Sequence, residues 1–304
     1  MELSGRRVLV TGGAGFVGAR LVERLAEDCD VVVVDDLRNG DAGGLPSDVD
    51  LRVGDVLDDG FRRSLDWEDV DVVFHLAADP DVRSSVERPG ADLRVNALAT
   101  QAVLEDATEA DVDGFVFTSS STVYGGAPTP TSESQGPLAP ESPYGASKLA
   151  SEGLCTAYSA TSDVDVRVMR LANVVGERGH GVVPDFVEKL ERDPSRLEVL
   201  GDGRQEKSYV HVDDCVSGIL TAVESGCRTF YNVGSRDSIS VSRIASLVCR
   251  EMDVDPEVEY AGGRRGWPGD VPRMRLDVGR LLELGWRPSV DSEGAVVRAV
   301  RSLV

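Results

Sequence analysis

The amino-acid sequence predicts an α/β protein, a Rossmann-type doubly wound parallel sheet with a smaller α+β substrate-binding lobe. Short apolar runs such as residues 31–34 alternate with amphipathic helical stretches, as in strands that helices cover on both faces. The first apolar run leads into a glycine-rich turn and a helix, which is the context that dinucleotide binding requires. The alternation weakens after about residue 173, which indicates a second and less regular part.

Composition excludes several classes of protein. The 304 residues, 41% of them hydrophobic, suffice for a sizeable core, and no apolar run reaches membrane-spanning length. The N-terminus lacks a signal-peptide pattern, so we expect a cytoplasmic protein with no membrane partner. The five cysteines have no CxxC spacing, and we expect no metal. His211, Asp213 and Asp214 could be ligands, but Asp213 better fits a helix N-cap.

The charge is strongly acidic, with a formal value of −21. Only Lys148, Lys189 and Lys207 are lysines among the 32 basic residues. An acidic, lysine-poor surface indicates adaptation to high salt rather than a merely acidic protein from a low-salt environment. This charge argues against nucleic acid as a partner. An anionic substrate must therefore be bound by local arginines, lysines or helix N-termini.

The first strand, residues 7–10, enters the glycine-rich turn at residues 11–18. Its glycines permit a tight turn and let a pyrophosphate approach N–H groups at a helix N-terminus. The second strand, residues 31–34, ends at Asp35, which lies at the separation expected of a ribose-binding acid. Because a carboxylate there repels a 2′-phosphate, NAD is favoured over NADP. The nearby Arg38 leaves NADP open.

The next predicted strands are residues 51–56, 70–78, 114–117 and 166–170. The fifth strand delivers Ser119, Ser120 and Ser121 to the carboxyl edge of the sheet, where ligands of open α/β sheets bind. Asn96 falls in a helical stretch from residue 92 to 105, where we expect it to hold a water or a backbone group.

The second half of the chain mixes its elements. We predict a helix at residues 184–190, strands at 197–201 and 209–212, and a strand at 229–234 that returns to the sheet. The predicted division is therefore an NAD-binding domain at 1–173, to which 209–236 returns, and a substrate lobe at 174–304.

Tyr144 and Lys148 form the candidate catalytic pair. Pro143 suits the first turn of a helix, and residues four apart then share one face. A free phenol, with a pKa of about 10, is a poor base at neutral pH, but a nearby ammonium favours the phenolate. Such a tyrosine can take a proton from a sugar or alcohol hydroxyl while a hydride leaves the same carbon. The alternative is an ordinary amphipathic helix.

Together, the turn at residues 11–18, Asp35, the serines at 119–121, Tyr124-Gly125 and the Tyr144–Lys148 motif resemble the extended short-chain dehydrogenase/reductases. Within them the chain resembles the NAD-dependent epimerase/dehydratase family and its UDP-glucose/UDP-galactose 4-epimerase group. The resemblance implies NAD-binding residues Gly12, Gly15, Phe16, Val17, Asp35, Asp36, Asn39, Gly40, Asp55, Val56, Leu76, Ala77, Ala78, Asn96, Ser119, Tyr144, Lys148 and Leu171. It implies substrate-binding residues Ser120, Ser121, Tyr144, Asn173, Val183, Lys207, Arg265 and Asp270.

The resemblance also implies the catalytic roles. Ser120 would hydrogen-bond the sugar hydroxyl, Tyr144 would be the base, and Lys148 would bind the nicotinamide ribose and lower the pKa of Tyr144. A UDP-hexose is the expected substrate. A homodimer is expected through the helices at residues 92–105 and 144–159.

The three residues before Val123-Tyr124 distinguish between the reactions that members of the family catalyse. Family dehydratases carry Thr-Asp-Glu there, whereas this chain has Ser120-Ser121-Thr122. Oxidation and reduction at C4, as in a 4-epimerase, needs no such acid and base. The alternatives are a net nucleotide-sugar oxidoreductase, a 4-keto reductase or dehydratase of the same family, or a non-catalytic dinucleotide-binding protein. The chain departs from the family pattern at Lys207, where an arginine is common, and in the lengthened segment from Arg265 to Asp270.

Overall fold

A computed structural model describes all residues from Met1 to Val304. The strands are β1 (Arg7–Thr11), β2 (Asp30–Asp35), β3 (Asp50–Val53), β4 (Val72–His75), β5 (Gly114–Ser120), β6 (Asp165–Leu171), β7 (Asn173–Val175), β8 (Arg196–Val199), β9 (Glu206–Lys207), β10 (Tyr209–His211), β11 (Phe230–Val233), β12 (Ile239–Ser240), β13 (Glu257–Tyr260) and β14 (Arg273–Met274). The α-helices are α1 (Phe16–Leu25), α2 (Asp59–Arg62), α3 (Val82–Glu87), α4 (Pro89–Asp92), α5 (Ala99–Glu109), α6 (Pro143–Thr161), α7 (Val182–Arg192), α8 (Val212–Ser225), α9 (Val241–Glu251), α10 (Gly279–Glu283) and α11 (Ser292–Leu303).

The central sheet has seven parallel strands in the order β11-β6-β5-β4-β1-β2-β3. Its inner strands are valine-rich and buried on both faces because helices cover both sides. The strand order reverses between β1 and β4, and the ligand crevice of such sheets lies at that switch point. The predicted α/β doubly wound fold is confirmed. The predicted return of residues 229–234 is also confirmed, since β11 pairs with β6.

The remaining strands form small sheets beside this one. β7 pairs with β10, β9 lies between β12 and β14, and β8 pairs with β13. A second apolar core packs α7, α9 and α11 around β8 and β10. Helix α8, by contrast, contributes Cys215, Val216 and Ile219 to the main core. The division of the chain into two domains at residue 173 stays a prediction.

Two predicted helices differ from the structure. The stretch at 92–105 is not one α-helix, because a π-helix at Leu93–Leu98 separates α4 from α5. The wider turn leaves the Asn96 carbonyl to accept from the Thr100 and Ser151 hydroxyls, at 2.6 and 3.2 Å. The N-cap of α8 is His211, whose Nδ1 accepts from the N–H of Asp213 at 3.3 Å, so the prediction that Asp213 caps this helix is wrong.

Predicted strand 51–56 is also shorter than expected, since β3 ends at Val53 and is half exposed at the sheet edge. Among all helices of the chain, none combines the length and apolar character needed to cross a membrane.

Candidate active site

The glycine turn after β1 forms a cradle for a pyrophosphate. Gly12 has φ +71°, and a Cβ there would lie 2.6 Å from the backbone nitrogen of Ala77. Gly15 is the N-cap of α1 and offers no side-chain acceptor. The N–H groups of Phe16 and Val17 therefore have no partner within the protein. Free N–H groups at the positive end of a helix, approached without a side chain in the way, fit a dinucleotide pyrophosphate.

Asp35 lies at the end of β2, as predicted for the ribose acid. Its carboxylate accepts from the N–H of Ala14 at 3.0 Å and of Leu37 at 2.8 Å, which fixes the glycine turn against β2. Gly40 approaches closely, because a Cβ there would lie 2.8 Å from Asp35 Oδ1. Asn39 is exposed on the same loop.

Arg38, three residues after Asp35, forms ion pairs with two carboxylates. Its guanidinium lies 3.0 Å from Asp36 Oδ2 and 2.6 Å from Asp55 Oδ2. A 2′-phosphate would have to compete with both acids for this arginine, so the arrangement favours NAD over NADP. Val56 is half-buried beside Asp55.

The loop after β4 runs along the other side of the crevice. Leu76, Ala77 and Ala78 are half-buried there, and the small side chains of the alanines leave room for a cofactor. Asn96 supports this loop from behind. Its Oδ1 accepts from the N–H of Asp79, and its Nδ2 donates to Ser147 Oγ, both at 2.9 Å. The side chain is buried, so Asn96 positions the loop against α6, in agreement with the expected backbone contact.

Helix α6 begins where the sequence predicts. Ser142 Oγ accepts from the N–H of Gly145 at 3.1 Å, and Pro143 occupies the first turn. Tyr144 and Lys148 share one face. Lys148 is buried, and its Nζ donates to the Thr118 carbonyl at 3.0 Å and lies 6.0 Å from the centroid of the Tyr144 ring.

Burial has the largest effect on the pKa of Tyr144. Burial raises it to about 12, a hydrogen bond with Ser120 acts in the opposite direction, and the Asp92 and Asp79 charges raise it further. Burial also lowers the pKa of Lys148 to about 8. The Lys148 charge is not among the causes of this shift, so the lowering of the Tyr144 pKa by Lys148 stays a prediction. The Tyr144 side chain is half-buried, and the Lys148 ammonium donates to the Thr118 carbonyl.

Ser120, the last residue of β5, faces Tyr144. Its Oγ accepts from the N–H and the Oγ1 of Thr122, at 3.2 and 3.0 Å. Ser121 begins the single turn that follows and is buried. The turn from Ser121 to Tyr124 contains no carboxylate, so neither a general acid nor a strong base stands beside Ser120 in this segment.

Ser119 belongs to a buried network that the sequence did not indicate. Its hydroxyl donates to Glu152 Oε1 at 2.6 Å, so this group is used inside the protein. Glu152 forms a two-point ion pair with Arg170, at 2.6 and 2.9 Å. Arg170 also donates to the Tyr124 hydroxyl at 2.8 Å, and this hydroxyl donates to Asn232 at 2.8 Å. The network fixes the end of β5 against α6, β6 and β11.

Asp92 is a second group that sequence reasoning missed. Its side chain is buried at the end of α4, and its Oδ1 has no hydrogen-bond partner. Burial and the neighbouring Asp79 raise its pKa to about 6. The burial of this carboxyl is visible only in the folded structure, because the residues around Asp92 in the sequence are typical of a solvent-exposed helix.

Three predicted substrate-binding residues, Lys207, Arg265 and Asp270, are brought together, and the two cations are paired with acids of the chain. Lys207 Nζ lies 2.5 Å from Asp270 Oδ1, and Asp270 is 1% exposed as a side chain. Arg265 lies 2.6 Å from Glu141 Oε2 and donates to the Asp270 carbonyl at 3.0 Å. Both cations therefore lie close to the residues that precede α6. An incoming anion could replace the carboxylates as their partner.

The other predicted substrate-binding residues differ in which of their polar groups remain free for a ligand. Asn173, at the start of β7, donates to the Ser208 carbonyl at 3.1 Å and is half-buried. Val183 is buried in the second core, so only its backbone N–H at the N-terminus of α7 remains available. Leu171 ends β6 next to Ser120, its register partner in β5.

His75 lies beneath this site and makes stability depend on pH. Its ring nitrogens contact the hydroxyls of Thr11 and Thr100, at 2.7 and 3.1 Å, and burial, followed by the Lys148 charge, lowers its pKa to about 3. Between the unfolded pKa of about 6.5 and this value, only the unfolded chain takes up the proton, so stability is lost as pH falls.

We expect His75 to contribute a loss of about 2 kcal/mol in the free energy of unfolding between pH 7 and pH 5. Urea unfolding at both pH values measures it. Over this interval His75→Gln should lose about 2 kcal/mol less stability than the wild type loses. His180→Gln, a control at an exposed position, should lose as much stability as the wild type. An identical pH slope in His75→Gln would contradict the expectation.

A doubly wound sheet with these groups at its switch point is the architecture of dinucleotide-dependent enzymes of the short-chain dehydrogenase/reductase type. The particular family follows from comparison with known sequences. The NAD dependent epimerase/dehydratase family matches residues 8–234, and the chain belongs to that family. NAD is therefore the cofactor, and the glycine cradle and Asp35 are the groups that fit it.

Relatives of known activity include both epimerases and dehydratases. The UDP-glucose 4-epimerase of Mycolicibacterium smegmatis is 36% identical over 309 residues, which cover 97% of each protein. The crystal structure of a UDP-galactose 4-epimerase has 40% identity and a TM-score of 0.89, covering 97% of this chain and 98% of that one. DesIV, a dTDP-glucose 4,6-dehydratase of Streptomyces venezuelae crystallised with NAD, has 31% identity and a TM-score of 0.89, covering 97% and 96%.

Proposed function

We propose that the protein is an NAD-dependent nucleotide-sugar 4-epimerase of the UDP-glucose/UDP-galactose type. The observation that carries the proposal is that the turn after Ser120, from Ser121 to Tyr124, holds no carboxylate, while Ser120 stands close enough to Tyr144 to affect its pKa. Elimination of water needs an acid and a base next to the sugar. Reversible oxidation at C4 needs only one proton acceptor, one orienting hydroxyl and the nicotinamide.

In this proposal Ser120 and Tyr144 both hydrogen-bond the C4 hydroxyl of the sugar. Bound NAD supplies the hydride acceptor and, on the return step, the hydride donor. Tyr144 takes the hydroxyl proton as the 4-keto sugar forms and gives it back after the sugar has turned its other face. Lys148, whose ammonium donates to the Thr118 carbonyl, would bind the nicotinamide ribose.

A direct assay tests the reaction. Incubation with a panel of UDP-hexoses, followed by proton NMR of the products, should show interconversion of C4 epimers without net formation of NADH. Signals of a 4-keto-6-deoxy sugar would instead indicate a dehydratase, the activity of other family members, and stoichiometric NADH would indicate a net oxidoreductase. Either result would contradict the proposal.

We also propose a homodimer formed through the helical stretches at residues 92–105 and 144–159. Val86, Leu93 and Leu98 are 41%, 52% and 48% exposed on α3 and the π-helix, and exposed side chains of this size support a protein–protein contact. A high-salt environment remains a proposal as well, supported by the acidic, lysine-poor composition.

A further inference from the structure

The segment at residues 262–270, here called the strap, lies between β13 and β14 and contacts the residues just before α6. Gly262, Gly263 and Gly269 have φ values of +81°, +83° and +85°, which other residues rarely adopt. Arg265 ties the strap to Glu141, immediately before α6. Glycines at both ends of the segment allow its backbone to change direction there, while the Arg265–Glu141 ion pair holds its middle in place.

Trp267, in the middle of the strap, lies between two cations that belong to different parts of the molecule. Its ring centroid lies 4.6 Å from the Arg83 guanidinium carbon, on α3, and 5.0 Å from Lys207 Nζ, on β9. Both distances are within the range of cation–π attraction. The indole Nε1 is buried and has no hydrogen-bond partner. Trp267 thus contacts both α3 and Lys207, one of the predicted substrate-binding residues.

Lys207 is the cation whose position depends on the contact with Trp267. Its ammonium is mostly buried and faces Asp270, whose other oxygen accepts from the N–H of Gly266 at 2.9 Å. A lysine has a flexible stem and forms only point contacts with phosphate, unlike the planar fork of an arginine. Besides Asp270, the Trp267 ring, whose centroid lies 5.0 Å from the ammonium, is the group that holds Lys207 in place.

We propose that Trp267 is a positioning residue of the nucleotide-diphosphate site, which holds Lys207 ready for the phosphates and responds when they bind. The inference rests on the function proposed above. The diphosphate takes the place of Asp270 and Glu141 as the partner of Lys207 and Arg265. Because the strap carries Trp267, Arg265 and Asp270 together, this exchange of partners changes the surroundings of the indole.

Kinetics separate positioning from a general structural role. Trp267→Ala should raise KM for the UDP-hexose on the order of tenfold, because two cation–π contacts are lost. It should change kcat by less than about threefold and leave the amount of bound NAD unchanged. Trp267→Phe, which keeps an aromatic face, should recover most of the loss. Trp67→Phe, whose indole donates to the Arg62 carbonyl elsewhere, is the matched control. An unchanged KM in Trp267→Ala overturns the inference.

Binding of UDP alone tests the response without catalysis. Tryptophan fluorescence should change as UDP is added to the NAD-loaded wild type, and the change should persist in Trp67→Phe and vanish in Trp267→Phe. Calorimetry of the same titration reports whether UDP binds. Binding with a fluorescence change that survives in Trp267→Phe, or with no change at all, overturns this inference alone. Absence of UDP binding would contradict the proposed function as well.

Discussion

Replacing Tyr144 by phenylalanine is expected to lower kcat roughly a thousandfold, which is the usual contribution of a general acid–base group. The ring keeps its place on α6 and the site keeps its shape, so the variant should retain bound NAD and bind the nucleotide sugar. What is lost is the proton acceptor, and Ser120 cannot replace it, because a serine hydroxyl is a far weaker base than a phenolate.

Epimer interconversion followed by NMR measures this loss, and release of NAD on denaturation measures the retained cofactor. Tyr158→Phe makes the same chemical change further along α6 and should leave kcat within about a factor of two. Turnover in Tyr144→Phe within tenfold of the wild type would remove Tyr144 from the mechanism. Loss of NAD together with activity would assign it a structural role instead.

Replacing Glu152 by glutamine is expected to lower the free energy of unfolding by about 3–5 kcal/mol. Glu152 and Arg170 are 3% and 4% exposed as side chains, so the substitution leaves a buried guanidinium with no charge partner. The same change weakens the hydrogen bond from Ser119, at the end of the strand that carries Ser120. We therefore expect lower activity as well as lower stability.

Urea unfolding measures the effect on stability. Glu188→Gln, which breaks an exposed pair with Arg192, is the matched control and should cost less than about 1 kcal/mol. The double substitution Glu152→Gln with Arg170→Met should regain part of the loss, because it removes the unpaired charge. A loss in Glu152→Gln no larger than in the control would show that the buried pair contributes little.

The parts of the site that the sequence predicts are those with local causes. The turn at Gly12, the end of β2 at Asp35 and the start of α6 at Pro143 each depend on a few neighbouring residues. The Glu152–Arg170 pair and the Trp267 contacts depend on elements that meet only in the folded chain, so no local pattern reveals them. The pKa of Tyr144 belongs with this second group, since burial in the fold raises it and spacing along a helix cannot report burial.

The position of β11 has a consequence for biosynthesis. While the ribosome has delivered only the strands up to β6, that strand is the outer edge of the nascent sheet, with unpaired backbone groups that invite association with other chains. Its neighbour arrives some sixty residues later, after the intervening segment has been synthesised. The seven-stranded sheet is therefore complete only after β11 has been synthesised, and a chain that ends before β11 would leave β6 as its exposed edge.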